Sequence, residues 1–157
     1  MASSNRPDPS EWPPLFGDLL ALARGSWVRQ MADGLEEHGY GDYRRTDAAV
    51  CRILLREPVA VGQLDKVLGA SRQAARKVVT GLEQRGYVTT ENDPTDGRRL
   101  IVSLTSFGQT YARAVVDVIE TLNRHLVDDV TPDELAAARR VLHAVISREG
   151  TGRTFDS

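Results

Sequence analysis

Apolar positions recur along this chain with two different periods, and the switches between them mark out its elements. From Leu15 onward, Phe16, Leu19, Leu22, Ala23, Trp27, Met31 and Leu35 return every three or four residues. That spacing predicts a long amphipathic helix, opened by Pro13 and Pro14 and ended at Gly39 and Gly41. A short helix is expected from a Thr46 cap to Leu55, with Ala49, Val50, Ile53 and Leu54 inward and Pro58 stopping it. Val59 to Val61 reads as a short strand, and Gln63 to Leu68 as a helix burying Leu64, Val67 and Leu68. Gly69 supplies a sharp turn before the next helix, which Ser71 caps and Gly86 closes. The period then changes to two. Tyr87 to Glu91 and Arg98 to Leu104 read as strands, the second turning Leu100, Val102 and Leu104 towards the core. Between them Asn92-Asp93-Pro94-Thr95-Asp96-Gly97 is dense in turn formers. Helical spacing returns from a Thr105 or Ser106 cap to about Asp128. A last helix starts at Thr131-Pro132 with Glu134, carrying Leu135, Ala138, Leu142, Val145 and Ile146 as its stripe.

This order predicts a mainly α fold with a small β-wing (α+β): a winged helix-turn-helix flanked by N- and C-terminal dimerisation helices. Residues 1–12 are expected to be a disordered tail and 150–157 a second tail. Residues 13–40 and 106–149 form the helical dimerisation region, and 41–105 the winged helix-turn-helix. The outer helices need something to cover their stripes. Packing within and across two copies is the economical answer, and symmetric pairs read two half-sites.

The helix after Gly69 carries the chemistry. Each residue turns the chain by about 100°, so Arg72, Gln73, Arg76, Lys77 and Thr80 share an arc of about 140°. Ala75, Val78, Val79 and Leu82 take the opposite arc and are expected to pack inward. Two arginines, a lysine, a glutamine and a threonine on one face donate to phosphates and to base edges, which points to duplex DNA. Against this stands the ordinary reading, a solvated helix face. Arg98 and Arg99 flank the turn that would form a wing tip; a surface ion pair with Asp96 is the alternative for Arg98.

A net charge of −2 fits a DNA binder only when divided along the chain. Residues 1–43 carry −4, residues 44–99 carry +4, and residues 100–157 carry −2. Positive charge is concentrated where the motif lies. No apolar run approaches the ~20 residues that span a bilayer, and the N-terminal stretch is polar and proline-rich. The expectation is a cytoplasmic protein with no membrane partner.

Other constellations are sparse. Trp27 and Tyr43 are candidates for lining a ligand pocket, with core packing as the competing reading. The lone Cys51 is either a small core residue or a thiol sensor. The three histidines are scattered, so no metal site is expected, and no cofactor or catalytic arrangement stands out. An enzyme is not expected.

Three runs in order, Leu82-Glu83-Gln84-Arg85-Gly86-Tyr87-Val88, Asp93-Pro94-Thr95-Asp96-Gly97-Arg98-Arg99 and Leu104-Thr105-Ser106-Phe107-Gly108, resemble the MarR family of bacterial transcriptional regulators. They match its helix end, its wing and the opening of its next helix, and the likeness in helix order runs from about Pro13 to Arg148. The resemblance implies a triangular homodimer with interdigitated terminal helices, each subunit offering one winged helix to a pseudo-palindromic operator. It implies that Asp96 orients Arg98 into the minor groove. Ser71, Arg72, Gln73, Arg76 and Lys77 would then face the major groove. It also implies a small aromatic or phenolic effector that releases DNA from a cleft beside the dimerisation helices. The stretch Tyr40 to Arg45 departs from the leucine-containing connector usual there.

The reading is therefore a homodimeric DNA-binding regulator, a repressor relieved by a small aromatic ligand. The alternatives are a winged-helix module that binds protein without DNA, and a redox-sensing regulator acting through Cys51.

Overall fold

The computed structural model describes residues 16–147; the expected tails and the Pro13-Pro14 helix start lie outside that range. The elements run α1 (Phe16–Glu37), α2 (Arg45–Leu54), β1 (Val59–Ala60), α3 (Val61–Leu68), α4 (Arg72–Gln84), β2 (Val88–Asn92), β3 (Leu100–Leu104), α5 (Ser106–Asp129) and α6 (Pro132–Ile146). The fold is mostly helical, with one three-stranded antiparallel sheet ordered β1-β3-β2. Val59 sits opposite Val102, and the β2–β3 hairpin runs from Val88 opposite Leu104 to Asn92 opposite Leu100. This is a winged helix-turn-helix, with α4 in the recognition position and the hairpin as its wing. The chain falls into two compact units, one ending at Val118 and the other starting at Ile119.

The core of the first unit collects one stripe from each element. Met31 and Leu35 come from α1, Val50, Cys51 and Leu54 from α2, and Leu64 from α3. Ala75, Val79 and Leu82 come from α4, Val88 and Val102 from the sheet, and Tyr111, Ala112, Val115 and Val118 from α5. Leu35, Leu64 and Leu82 are wholly enclosed, and each such leucine contributes about 1.5–3 kcal/mol. Tyr111 sits 5.0 Å from Tyr40 and 4.7 Å from Tyr87 between ring centres, and Phe107 stacks on Tyr87 at 5.0 Å. Two glycines are demanded by close approach. A Cβ at Gly34 would come within 2.7 Å of Val118, where α1 crosses α5, and one at Gly108 would run into the Tyr87 carbonyl.

Helix ends follow local chemistry. α1 ends where Gly39 takes φ 87° and the Tyr40 amide reaches back to the Leu35 carbonyl at 2.8 Å. α4 ends in the same way, with Gly86 at φ 77° and the Tyr87 amide donating to Leu82 at 2.9 Å. Thr105 opens α5, its hydroxyl accepting from the Gly108 amide at 3.0 Å and donating to the Gly86 carbonyl at 2.6 Å.

Several expectations need correction: Val61 opens α3 instead of extending the strand, and Leu68 is half-buried. Thr46 does not cap α2: Arg44 occupies that place with extended backbone and no side-chain bond, and Thr46 falls inside the first turn. The enclosed face of α2 is Asp47, Ala48, Val50, Cys51 and Leu54, while Ala49 and Ile53 are half-buried. The helix is rotated because it accommodates a carboxylate the apolar pattern did not anticipate. Finally, β3 begins at Leu100 instead of Arg98, and Leu100 is exposed. It pairs with Asn92 at the tip end of the hairpin, beyond the reach of the core that covers Val102.

The second unit holds the rest of α5 and α6. Thr131 and Glu134 form a reciprocal cap on α6: the Glu134 amide donates to the Thr131 hydroxyl, and the Thr131 amide to the Glu134 carboxylate at 2.8 Å. Those hydrogen bonds hold the Glu134 carboxyl below its ordinary value. α6 buries none of its residues. Leu126, Val127, Leu135, Leu142, Val145 and Ile146 stand exposed, as do Leu19 and Leu22 on α1. The expected stripes exist, but the described residues do not bury them.

Candidate nucleic-acid interface

The helix-turn-helix is set by three residues at the start of α4. Gly69 takes the left-handed conformation that ends α3, at φ 58°. Ser71 then accepts the Ala74 amide at 3.2 Å and orients the first turn. Arg72 follows at once, exposed at its tip, with its Nε 3.4 Å from the Asp65 carboxylate on α3. Gln73, Arg76 and Lys77 are exposed, whereas Ala75, Val79 and Leu82 are buried and Val78 is half-buried. The division between outward and inward faces is the one the sequence predicts.

The wing is built from an acidic turn. The Asp93 carboxylate accepts from the amide and hydroxyl of Thr95, at 2.8 and 2.7 Å, and lies 3.8 Å from the Arg99 guanidinium. The Thr95 bonds first, and the Arg99 charge after them, hold the Asp93 carboxyl below its ordinary value. Asp96 accepts the Arg98 amide at 3.2 Å, and its carbonyl accepts the Arg99 amide at 2.8 Å. Among the described residues there is no ion pair between Asp96 and Arg98, so the Arg98 guanidinium is left available.

These parts converge. Arg72 and Arg76 from α4 and Arg98 and Arg99 from the wing line one open cleft of about 350 Å³, with Gly62 and Gln63 of α3 on its wall. Lys77 lies on the other flank of α4, in a groove of about 690 Å³ shared with Arg44, Thr46 and Arg85. Gln73 lines neither groove, and Ser71 serves as the cap. Gln63 was not singled out from the sequence, because its role depends on how α3 packs beside the wing.

Two residues that the sequence did not mark stand behind the recognition helix. Asp47 is 5% exposed, and its carboxylate accepts from the Arg85 guanidinium at 2.6 Å. Burial works against the Arg85 charge, yet Asp47 and Asp42 beside it hold its value above the ordinary one. A sequence signal existed: Asp47 shares the i, i+3, i+4, i+7 stripe of Val50, Cys51 and Leu54.

Trp27 and Tyr43, the pocket candidates, are both half-buried, and neither lines the grooves described above. Burial raises the Tyr43 phenol, against the opposing charges of Arg45 and Arg52. Cys51 is fully enclosed. Burial, aided by the Asp47 charge, pushes its thiol up to about 12, so it stays protonated at neutral pH. No described helix is long and apolar enough to cross a membrane.

Comparison with known proteins places this geometry. The MarR family model matches residues 44–99, from the α2 start to the wing. The HTH-type transcriptional regulator YdcH of Bacillus subtilis (strain 168) is 24% identical over 110 residues, covering 69% of this chain and 75% of that protein. A probable transcriptional regulator from Pseudomonas aeruginosa superposes with a TM-score of 0.68 at 26% identity, covering 84% of this chain and 97% of its own. The S. aureus MepR–DNA complex shares the fold, with a TM-score of 0.75 at 16% identity over 87% of this chain and 98% of that one. Residues 44–99 thus resemble the MarR family of transcriptional regulators, and the winged-helix architecture around them is the one seen in the solved structures above.

Proposed function

We propose that this chain is a cytoplasmic, homodimeric repressor that binds a pseudo-palindromic operator and leaves it when a small aromatic ligand binds. The observation that carries the DNA reading is the convergence of Arg72, Arg76, Arg98 and Arg99 on one open cleft. Four guanidinium groups at the meeting of a helix and a hairpin match a phosphate backbone with a groove on either side. In this reading Arg72, Gln73, Arg76 and Lys77 address the major groove and its flanking phosphates. Arg98 reaches the minor groove, Arg99 a phosphate, and Ser71 and Asp96 hold the helix start and the wing in shape.

The exposed stripe of Leu135, Leu142, Val145 and Ile146 supports a second copy of the chain as partner. Two recognition helices would then meet half-sites about 34 Å apart. In this reading the half-buried rings of Trp27 and Tyr43 would stack on the aromatic effector.

The test is a fluorescence-anisotropy titration of DNA from beside the chain's own gene, repeated across salt concentrations. The expected result is tight binding whose logarithm falls linearly with the logarithm of salt. Binding indifferent to salt would favour a protein-interaction module instead.

A further inference from the structure

We propose that Asp47 and Arg85 are a positioning pair that fixes the recognition helix against α2, and so sets operator affinity without either residue touching DNA. This rests on the DNA-binding reading above. Asp47 is the one charged residue among those described that is buried, and the 2.6 Å bond from Arg85 is the shortest ion-pair contact described in the chain. Arg85 follows immediately on α4. Its Nε donates to the Gly81 carbonyl of that helix at 2.9 Å, while Nη2 holds Asp47 on α2. One rigid guanidinium therefore clamps the end of one helix to the side of another. Asp42 extends the clamp: it lies 3.9 Å from Arg85 and is bound by Arg44 at 3.1 Å. The Tyr87 ring lies 5.6 Å from the Arg85 guanidinium.

Leverage makes the clamp matter. The 13 residues of α4 span about 20 Å at 1.5 Å per residue, so a tilt of about 10° at Arg85 displaces Arg72 by about 3 Å. A hydrogen bond to a base or phosphate does not survive that displacement. Stability alone is a weak reason for a buried ion pair, since apolar replacements of similar volume often serve as well. What the pair supplies is a direction.

The experiment compares the full-length chain with Asp47→Asn, Arg85→Gln and the double variant, measuring operator affinity across salt and thermal melting for each. Each single change is expected to weaken binding about tenfold, the scale of one lost charge-assisted hydrogen bond. The double variant should be no worse than the weaker single, and Asp47→Asn and Arg85→Gln should change the salt slope to the same extent. Arg85→Lys, which keeps the charge but cannot hold Gly81 and Asp47 together, serves if a variant fails to fold, and it too should bind weakly, with the slope seen for Asp47→Asn. Single losses that simply add, or a slope reduced by Arg85→Gln but not by Asp47→Asn, would overturn the proposal; the latter would make Arg85 a phosphate ligand. Wild-type chain that never binds DNA salt-dependently removes the DNA reading and the pair's role together. Normal wild-type binding with unaffected variants removes the pair alone.

Discussion

Asp96 holds Arg98 by the main chain, not by the guanidinium: its carboxylate accepts the Arg98 amide at 3.2 Å. The same turn is closed by the Arg99 amide on the Asp96 carbonyl and the Asp93 amide on the Arg99 carbonyl, both at 2.8 Å. The acid therefore shapes the tip and leaves the cation unspent. An ion pair between the two would instead have to be broken before Arg98 could meet a phosphate.

Arg98→Ala is expected to weaken operator binding by about 1.5–3 kcal/mol, the range for a hydrogen bond to a charged group, and to lower the salt slope by about one. Asp96→Ala loosens the tip but keeps the charge, so affinity should fall less and the slope should hold. Both variants should melt close to wild type, because the wing tip is exposed. Anisotropy titrations with parallel thermal melts check all three statements.

Gly108→Ala is expected to destabilise the fold by about 1–3 kcal/mol or more, the scale of overpacking in a closed site. The new Cβ would meet the Tyr87 carbonyl, which is backbone and cannot swing aside. A urea titration followed by circular dichroism measures the loss, seen as a lower midpoint at unchanged slope.

Alkaline pH should unfold this protein before it activates its cysteine. Burial raises the Cys51 thiol from 9.0 to about 12 and also raises the Tyr111 phenol. Both groups are easier to ionise in the unfolded chain, so their contribution is complete below the unfolded values and is lost as pH climbs towards the folded ones. Urea midpoints should hold up to about pH 9 and then fall between about pH 9 and 12. At mildly alkaline pH a thiol reagent should label native Cys51 slowly and urea-treated protein quickly. Rapid labelling of the native chain would revive the redox-sensing alternative.

Replacing Leu142 and Ile146 together by glutamate should leave the winged-helix unit folded and convert the proposed dimer to monomers. The two side chains are 45% and 62% exposed in the single chain, so the change disturbs no core of its own. Light scattering reports the mass, and operator affinity should collapse with it, since two half-sites would no longer be read together.

Much of this architecture was legible because it is written in local chemistry. Ser71, Thr131, Gly69 and Gly86 each act within a few residues of themselves, and each stands where the sequence places it. The outward and inward faces of α4 follow from rotation per residue alone. Thr46 misled because capping preference is a weak local rule, and here the chain enters α2 extended through Arg44. Leu100 misled because alternation gives a face without saying how far along the strand the core extends. The convergence of Arg72 with Arg98 needs the β1-β3-β2 order, and the Asp47–Arg85 bond joins residues 38 positions apart. Neither follows from spacing, since both depend on how elements meet.

The unburied last helix has a consequence for dosage. In the proposed dimer, an element apolar along one side that encloses none of it would draw its stability from its partner, so mass action would enter the behaviour of the proposed regulator. When the molecule is scarce, the proposed pair would fall as the square of its concentration. Occupancy of a promoter would then respond to copy number more steeply than the affinity of a ready-made pair allows.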